Sequence, residues 1–488
     1  MRMASSIGLM TGLLAAQLAG QPWVITDVTV IDPRSGRIAQ HSNVVVSGAK
    51  ITSIQPSSVP VPRRAHRIDG QGKFLIPGLW DAHVHLTKAG PLSLPLFVAN
   101  GVTGVRDMGS DLREVTGWRS EIERGERVGP RIFTAGPILE STANIARMKQ
   151  EGTVEPVDRI RMGVASAEEG RAVVTRLAGL GVDEIKMRTT PDEATFVAVA
   201  VEAKRRHLPF AAHPVGTPRS MISAGLKSVE HFLAFPPLDA LTRTERRALF
   251  DKMVEARMSY SNTMVNLDPL LLPYEEAKRR VEDSTGVVDP RRKYVCGYLI
   301  DDWREQVEEG KSAPYEAFRK QLPNLYRDFR EMREAGVQFL AGSDVGVLLM
   351  YPGFSLHDEL QKLVDIVGFR PMAALRVATS GPAAYFGRES EFGSLEPGQT
   401  ADLVMLDANP LVDIHNTQRI AGVMANGVWL NRSALDRLLR EIARDAQAGC
   451  TAKLTAATEP ERCVNQPADE EHKRRPSWCH FLESANRS

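Results

Sequence analysis

The sequence predicts an α/β protein: a (β/α)8 TIM barrel carrying a small β-sandwich built from both chain ends. Three observations predict it. From about residue 73 to 388, eight short apolar runs alternate with amphipathic helical stretches, the pattern of a (β/α)8 barrel. Strand-rich pieces flank that middle at residues 21–72 and 389–431. Six residues of metal-binding type, His83, His85, Lys186, His213, His231 and Asp344, each stand late in an apolar run, where a barrel strand delivers its residue to one shared face.

In chain order, the first twenty residues differ from the rest. Arg2 precedes Ser5–Ala19, which is apolar and small-residue-rich. That stretch is too short for a bilayer span of about 20 strongly apolar residues. It suits a secretory signal peptide cleaved near Ala19 or Gly20. Export to the periplasm or the medium is therefore expected. Gln17 and Leu18 depart from an A-x-A cleavage site, and the alternative is a cytoplasmic protein with a disordered or misassigned start. No other segment reads as a membrane span.

WVITDVTVID and SNVVVSGAKITSI then alternate as strands, and FGSLEPGQTADLVMLDANP and AGVMANGVWLN restore that character after residue 388. Between them the barrel strands are LIPGLWDAHVHL, GVTGVRDM, PRIFTAGPIL, VDEIKM, LPFAAH, KSVEHF, MSYSNTMV and VQFLAGSDV. Helices are expected at Ala167–Leu180, after Ser166, and at Asp192–Arg206. The charged stretch 268–334 reads as a helical insertion after the seventh strand, a candidate subunit contact in a homo-oligomer. Beyond Asn431 one helix, Ser433–Ala448, precedes a polar tail to residue 488.

The bulk numbers bound the function. A chain of 488 residues exceeds what one core usually holds, so one large and one smaller domain are expected. Hydrophobic content of 43% and charged content of 25% are those of an ordinary globular protein. A formal charge of +1 argues against nucleic-acid binding, which needs a basic field, and the cluster Lys473–Arg475 is too local to supply one. Cys450, Cys463 and Cys479 fall in the tail and Cys296 stands apart. None has zinc-site spacing, and in an oxidising compartment one tail disulfide is expected.

The six residues carry the chemistry. His83 and His85, spaced i, i+2, face one side of one strand and can present two imidazoles to one cation. The apolar run before them should be buried, where unsatisfied histidines are costly. A lysine inside VDEIKM is expensive unless its charge is removed. Beside two cations its amine loses its proton and can add carbon dioxide, giving a carbamate that suits a metal bridge. The plain alternative is a lysine reaching to solvent. His213 and His231 end successive strands, which favours ligation over two isolated core histidines. Asp344 can bind a metal and accept a proton, or simply cap a helix. Zinc is the default for such donors, with manganese or cobalt possible.

These residues resemble the amidohydrolase superfamily, in its binuclear, carboxylated-lysine branch. PGLWDAHVHL, GVTGVRDMG, VDEIKM, AAHPVG, SVEHF and AGSDVG follow in the family order, and ATSGPAAYFG and GSLEPGQTADLVMLDANP resemble its closing segments. The prolidase-like and imidazolonepropionase-like hydrolases are most similar. The resemblance implies that His83, His85 and Asp344 hold one metal, that His213 and His231 hold the second, and that carboxylated Lys186 and a hydroxide bridge them. It implies hydrolysis of an amide bond, in a dipeptide or N-acyl amino acid, with Asp344 as the catalytic proton carrier. Many prolidase-like members carry Gly-Gly-His after the third strand. Here Ile138–Asn144 reads ILESTAN, a departure bearing on dipeptide specificity.

Substrate contacts are less determined. Arg106 and Arg188, near strand ends, could clamp a substrate carboxylate or form salt bridges. Tyr260 and Asn262 could line the pocket, and His357 could face the substrate or begin a helix. A cyclic-amide, lactone or ester hydrolase would share this metal core. A non-catalytic binding paralogue should lack one of the six ligands, and none is missing.

Overall fold

The computed structural model describes residues 21–231, 238–311 and 315–448. The expected signal peptide and the tail with Cys450, Cys463 and Cys479 lie outside those residues. The chain opens with β1 (Trp23–Asp32), β2 (Arg37–Ser47), β3 (Lys50–Pro56), β4 (His66–Asp69) and β5 (Phe74–Pro77). β1 pairs antiparallel with β2 and parallel with β4 and β5.

The parallel part follows. β6 (Leu79–Val84), β7 (Val102–Asp107) and β8 (Arg131–Thr134) form a three-stranded sheet. β9 (Ile138–Ser141), β10 (Arg161–Val164), β11 (Ile185–Met187), β12 (Phe210–Ala212), β13 (Ser228–Glu230), β14 (Ser259–Ser261) and β15 (Gln338–Leu340) form a second, ordered β10-β9-β11-β12-β13-β14-β15. Backbone hydrogen bonds link the two sheets. Ala82 N donates to Ala341 O (2.8 Å), Asp344 N to His83 O (2.7 Å) and His85 N to Val345 O (2.8 Å). At the other edge Asp183 N donates to Thr134 O (2.9 Å). The expected single run of eight strands is thus two linked parallel sheets, with β9 and β10 as an added parallel pair. RMGV is only four residues long and lacks apolar alternation, so it gives no strand signal.

β16 (Leu403–Leu406), β17 (Ile420–Ala425) and β18 (Val428–Asn431) return to the first sheet, whose order is β18-β17-β16-β5-β1-β2-β3 with β4 on β1. The two chain ends therefore build one mixed sheet, hydrogen-bonded throughout, where the sequence suggested a sandwich. It has its own core, including Ile25, Val30, Val44, Leu75, Leu403 and Met424. The run FLIPGLWDAHV serves both units. Its first half, β5, pairs with β1 and β16, and its second, β6, pairs with β7. Gly78 makes the handover: a Cβ there would sit 1.9 Å from Thr103 Oγ1. Both halves are buried, so hydrophobicity carries no sign of the boundary.

Between the parallel strands lie the helices. Ser166 caps the Ala167–Gly179 helix by accepting from Glu169 N (3.3 Å), and Asp192 caps Glu193–Arg205 by accepting from Thr195 N (2.7 Å). From β14 to β15 the chain passes through helices Leu267–Leu270, Tyr274–Glu282, Tyr298–Gly310 and Tyr315–Ala335. A separate cluster including Val281, Val295, Leu299, Trp303 and Tyr351 holds this region together. Buried Arg292 donates to Val281 O (2.7 Å) and Val295 O (3.0 Å), satisfying carbonyls at a helix end. The Arg432–Gln447 helix packs Leu435, Leu438 and Ile442 into the main core. Among the described residues no helix is long and apolar enough to cross a membrane.

Candidate active site

Parallel strands carry their exit residues to one end. His83 and His85 leave β6, Lys186 lies in β11, His213 and His231 follow β12 and β13, and Asp344 follows β15. His83, His85 and Asp344 converge so closely that one donor atom from each lies within 4.8 Å of the others, an arrangement that could hold a metal ion. Asp344 Oδ1 stands 3.1 Å from His85 Nε2 and 3.5 Å from His83 Nε2. The His231 ring lies 4.5 Å from that of His83, and the His213 ring 4.6 Å from that of His231. Lys186 is buried beneath them and acts electrostatically on His83, His213 and His231.

Three of the four histidines are held from behind. His83 Nδ1 meets Glu230 Oε2 at 2.7 Å, His85 Nδ1 meets Gly109 O at 3.2 Å, and His231 Nδ1 meets Thr263 Oγ1 at 3.0 Å. Such partners fix which ring nitrogen faces the centre. Asp344 Oδ2 accepts from Asn266 Nδ2 (3.0 Å). The backbone bends sharply where these groups emerge: His231 (φ 72°), Thr263 (φ 45°) and Asp344 (φ 57°) are all left-handed. For the β-branched Thr263 that conformation costs roughly 1–3 kcal/mol.

Burial sets the protonation states. It lowers His83 to about 4, His231 to about 3 and His213 well below its ordinary value. All three are neutral at pH 7, the form that can ligate. Burial also lowers the Lys186 amine to about 8, near the range where it is nucleophilic. Burial raises the Asp344 carboxyl, but His231, His83 and His85 outweigh it and hold the group well below the usual range.

Below the histidines lies a buried charge network that sequence reasoning missed. Arg106 donates to Glu184 through Nε (2.8 Å) and Nη2 (2.9 Å), to Glu230 Oε1 (3.0 Å) and to Ala82 O (3.2 Å). Tyr385 OH donates to Glu184 Oε2 (3.0 Å). Asp81 accepts from Ser343 N (2.9 Å) and Oγ (2.5 Å), and burial pushes it up to about 7. A signal was present: Asp81, Glu184 and Glu230 each stand one or two residues before a histidine or lysine of the cluster. Arg106→Leu would leave two buried carboxylates uncompensated. A loss of about 3–5 kcal/mol in urea unfolding is expected; a loss below about 1 kcal/mol would mean that the network carries no stability.

Three expected substrate contacts lie in the interior instead, and for Arg106 and His357 the structure matches the alternatives held open for them, a salt bridge and a helix position. Arg106 is fully buried in that network and cannot reach a substrate. Tyr260 packs against Phe329 and Phe339 and donates its hydroxyl to His231 O (2.9 Å), so it braces the backbone. His357 lies within the Phe354–Asp365 helix, with its ring nitrogens at Thr417 Oγ1 and Asn100 O, both 2.9 Å. Their apolar surroundings gave sequence reasoning no way to tell a mouth position from an interior one. Asn262 is buried. Arg188 alone keeps an open side chain, 37% exposed, with Glu140 Oε2 3.7 Å away. Glu140 belongs to the ILESTAN segment, which forms β9 and starts the Thr142–Glu151 helix; it is already engaged by Arg161 (2.5 Å) and Asn144 (2.8 Å).

Frame and donors define a class: α/β proteins with a candidate metal centre at the ends of parallel strands. Residues 74–430 match the amidohydrolase family, and the chain belongs to that family. Ochratoxinase of Aspergillus niger is 22% identical over 440 residues, covering 78% of this chain and 80% of that protein. Imidazolonepropionase of Cutibacterium acnes is 25% identical over 407 residues, covering 79% and 88%. The crystal structure of a Xaa-Pro dipeptidase with methionine bound in its active site shares the fold, with a TM-score of 0.63 at 22% identity over 84% of this chain and 100% of that one.

Proposed function

We propose that this protein hydrolyses an amide bond in a small molecule, a dipeptide or N-acyl amino acid, at a centre of two divalent metal ions. One observation carries the reading. Buried His83 Nε2, and buried Lys186 Nζ, which acts electrostatically on that ring, have no hydrogen-bond partner among the described residues. Leaving such groups unmet costs roughly 1–3 kcal/mol each. A cation meeting the imidazole and a carbamate formed on the amine remove both costs, so the residues fit the ions. His83, His85 and Asp344 would hold one ion, His213 and His231 the other, and carboxylated Lys186 both. Bound there, the ions would supply a water acidified to about pKa 7 and a polarised carbonyl.

The chain's own groups supply the rest. The ionised Asp344 carboxylate accepts a proton and returns it to the leaving nitrogen. Glu230 keeps the His83 ring in one tautomer. Arg188, whose side chain is 37% exposed just after β11, would take a substrate carboxylate; the names of the dipeptidase and ochratoxinase relatives accord with an amide substrate. A panel of N-acyl amino acids, Xaa-Pro and other dipeptides, cyclic imides and lactones tests this. Turnover of carboxylate-bearing linear amides at least about tenfold above the others in kcat/KM is expected. Preference for cyclic imides or lactones would replace the substrate assignment, and no hydrolysis at all would contradict the reading.

A further inference from the structure

Glu359 lies in the middle of the Phe354–Asp365 helix and is fully buried. Its Oε2 accepts from Val265 N at 2.8 Å, and the adjacent Met264 amide also favours its ionised form. Those two amides belong to the turn that begins at left-handed Thr263 and ends at Asn266. The same turn sends Thr263 Oγ1 to His231 Nδ1 (3.0 Å) and Asn266 Nδ2 to Asp344 Oδ2 (3.0 Å). A strained turn persists only where its surroundings over-determine it. Here the clamp is one acceptor on a separate helix.

We propose that Glu359 is a positioning residue: it clamps the 263–266 turn, and the turn in turn aims His231 and Asp344. The inference rests on the roles given above to those two residues. Glu359 itself touches neither substrate nor the reacting atoms. Lys362 on its own helix and Asp81 act on it electrostatically. The acceptor oxygen is what the turn requires, so an amide in its place should serve.

Substitutions at Glu359 and Asn266 test this. Glu359→Gln keeps an acceptor for the two amides and is expected to stay within about threefold of the parent in kcat. Glu359→Leu removes the acceptor at similar volume. It should lower kcat at least about tenfold with KM little changed, and weaken zinc binding in chelator competition by about tenfold. If the leucine variant does not fold, Glu359→Asp, whose carboxyl is too short to reach the turn, should show the same split. Asn266→Ala combined with the folded Glu359 variant should cost no more than the larger single change, because both act through one turn. Unchanged kcat and zinc affinity in a folded leucine or aspartate variant, failure of glutamine to restore them, or additive losses would overturn the inference. A parent protein that binds none of zinc, manganese and cobalt would instead remove the metal-centre reading, and this inference with it.

Discussion

Asp344→Asn is expected to lower kcat by about 10²–10⁴-fold, the contribution typical of a positioned proton carrier, with KM little changed. The geometry explains why so small a change costs so much. The carboxylate has two acceptor edges: Oδ1 faces His85 and His83, and Oδ2 faces the Asn266 amide. An asparagine has one acceptor. If its oxygen turns to the histidines, its NH2 meets the NH2 of Asn266; if it turns the other way, its NH2 faces the centre. Neither arrangement accepts a proton. Metal should remain largely bound, because His83 and His85 are untouched. Near-normal turnover in this variant would remove Asp344 from the mechanism.

Lys186→Met is expected to separate folding from chemistry even more sharply. Methionine nearly matches the lysine stem and lacks the amine. In the metal-free chain a fully buried amine with no hydrogen-bond partner among the described residues is destabilising, so with both proteins stripped of metal its loss should leave thermal stability unchanged or raised. Turnover should nevertheless fall to background. Metal affinity should drop by at least about 100-fold, more than for loss of an outer partner, since the bridging group itself is gone. A variant that unfolds, or that hydrolyses substrate normally, would show that the lysine serves packing.

The contrast between the donors and their supports shows what the sequence makes legible. His83, His85, Lys186, His213, His231 and Asp344 stand out because polar residues in apolar strands are expensive, and strand ends share one face. Asn266 and Thr263, in the turn after β14, obey no such rule. Their roles depend on which turn meets which helix, as when Glu359 reaches Val265 from ninety-four positions away. Arg106 and Tyr260 were legible as polar residues in strands, but not as pointing inward: a strand buried on both faces shows no alternation to separate the two directions. The division of FLIPGLW between two sheets was hidden for the same reason.

The metal content of the purified native chain, measured by plasma mass spectrometry beside an intact-mass spectrum, tests the central claim most directly. About two divalent ions per chain are expected, the stoichiometry of a two-metal hydrolytic site. Both ions should be lost together in Lys186→Met. A native chain carrying no divalent metal, and binding none when zinc, manganese or cobalt is supplied with bicarbonate, would contradict that claim.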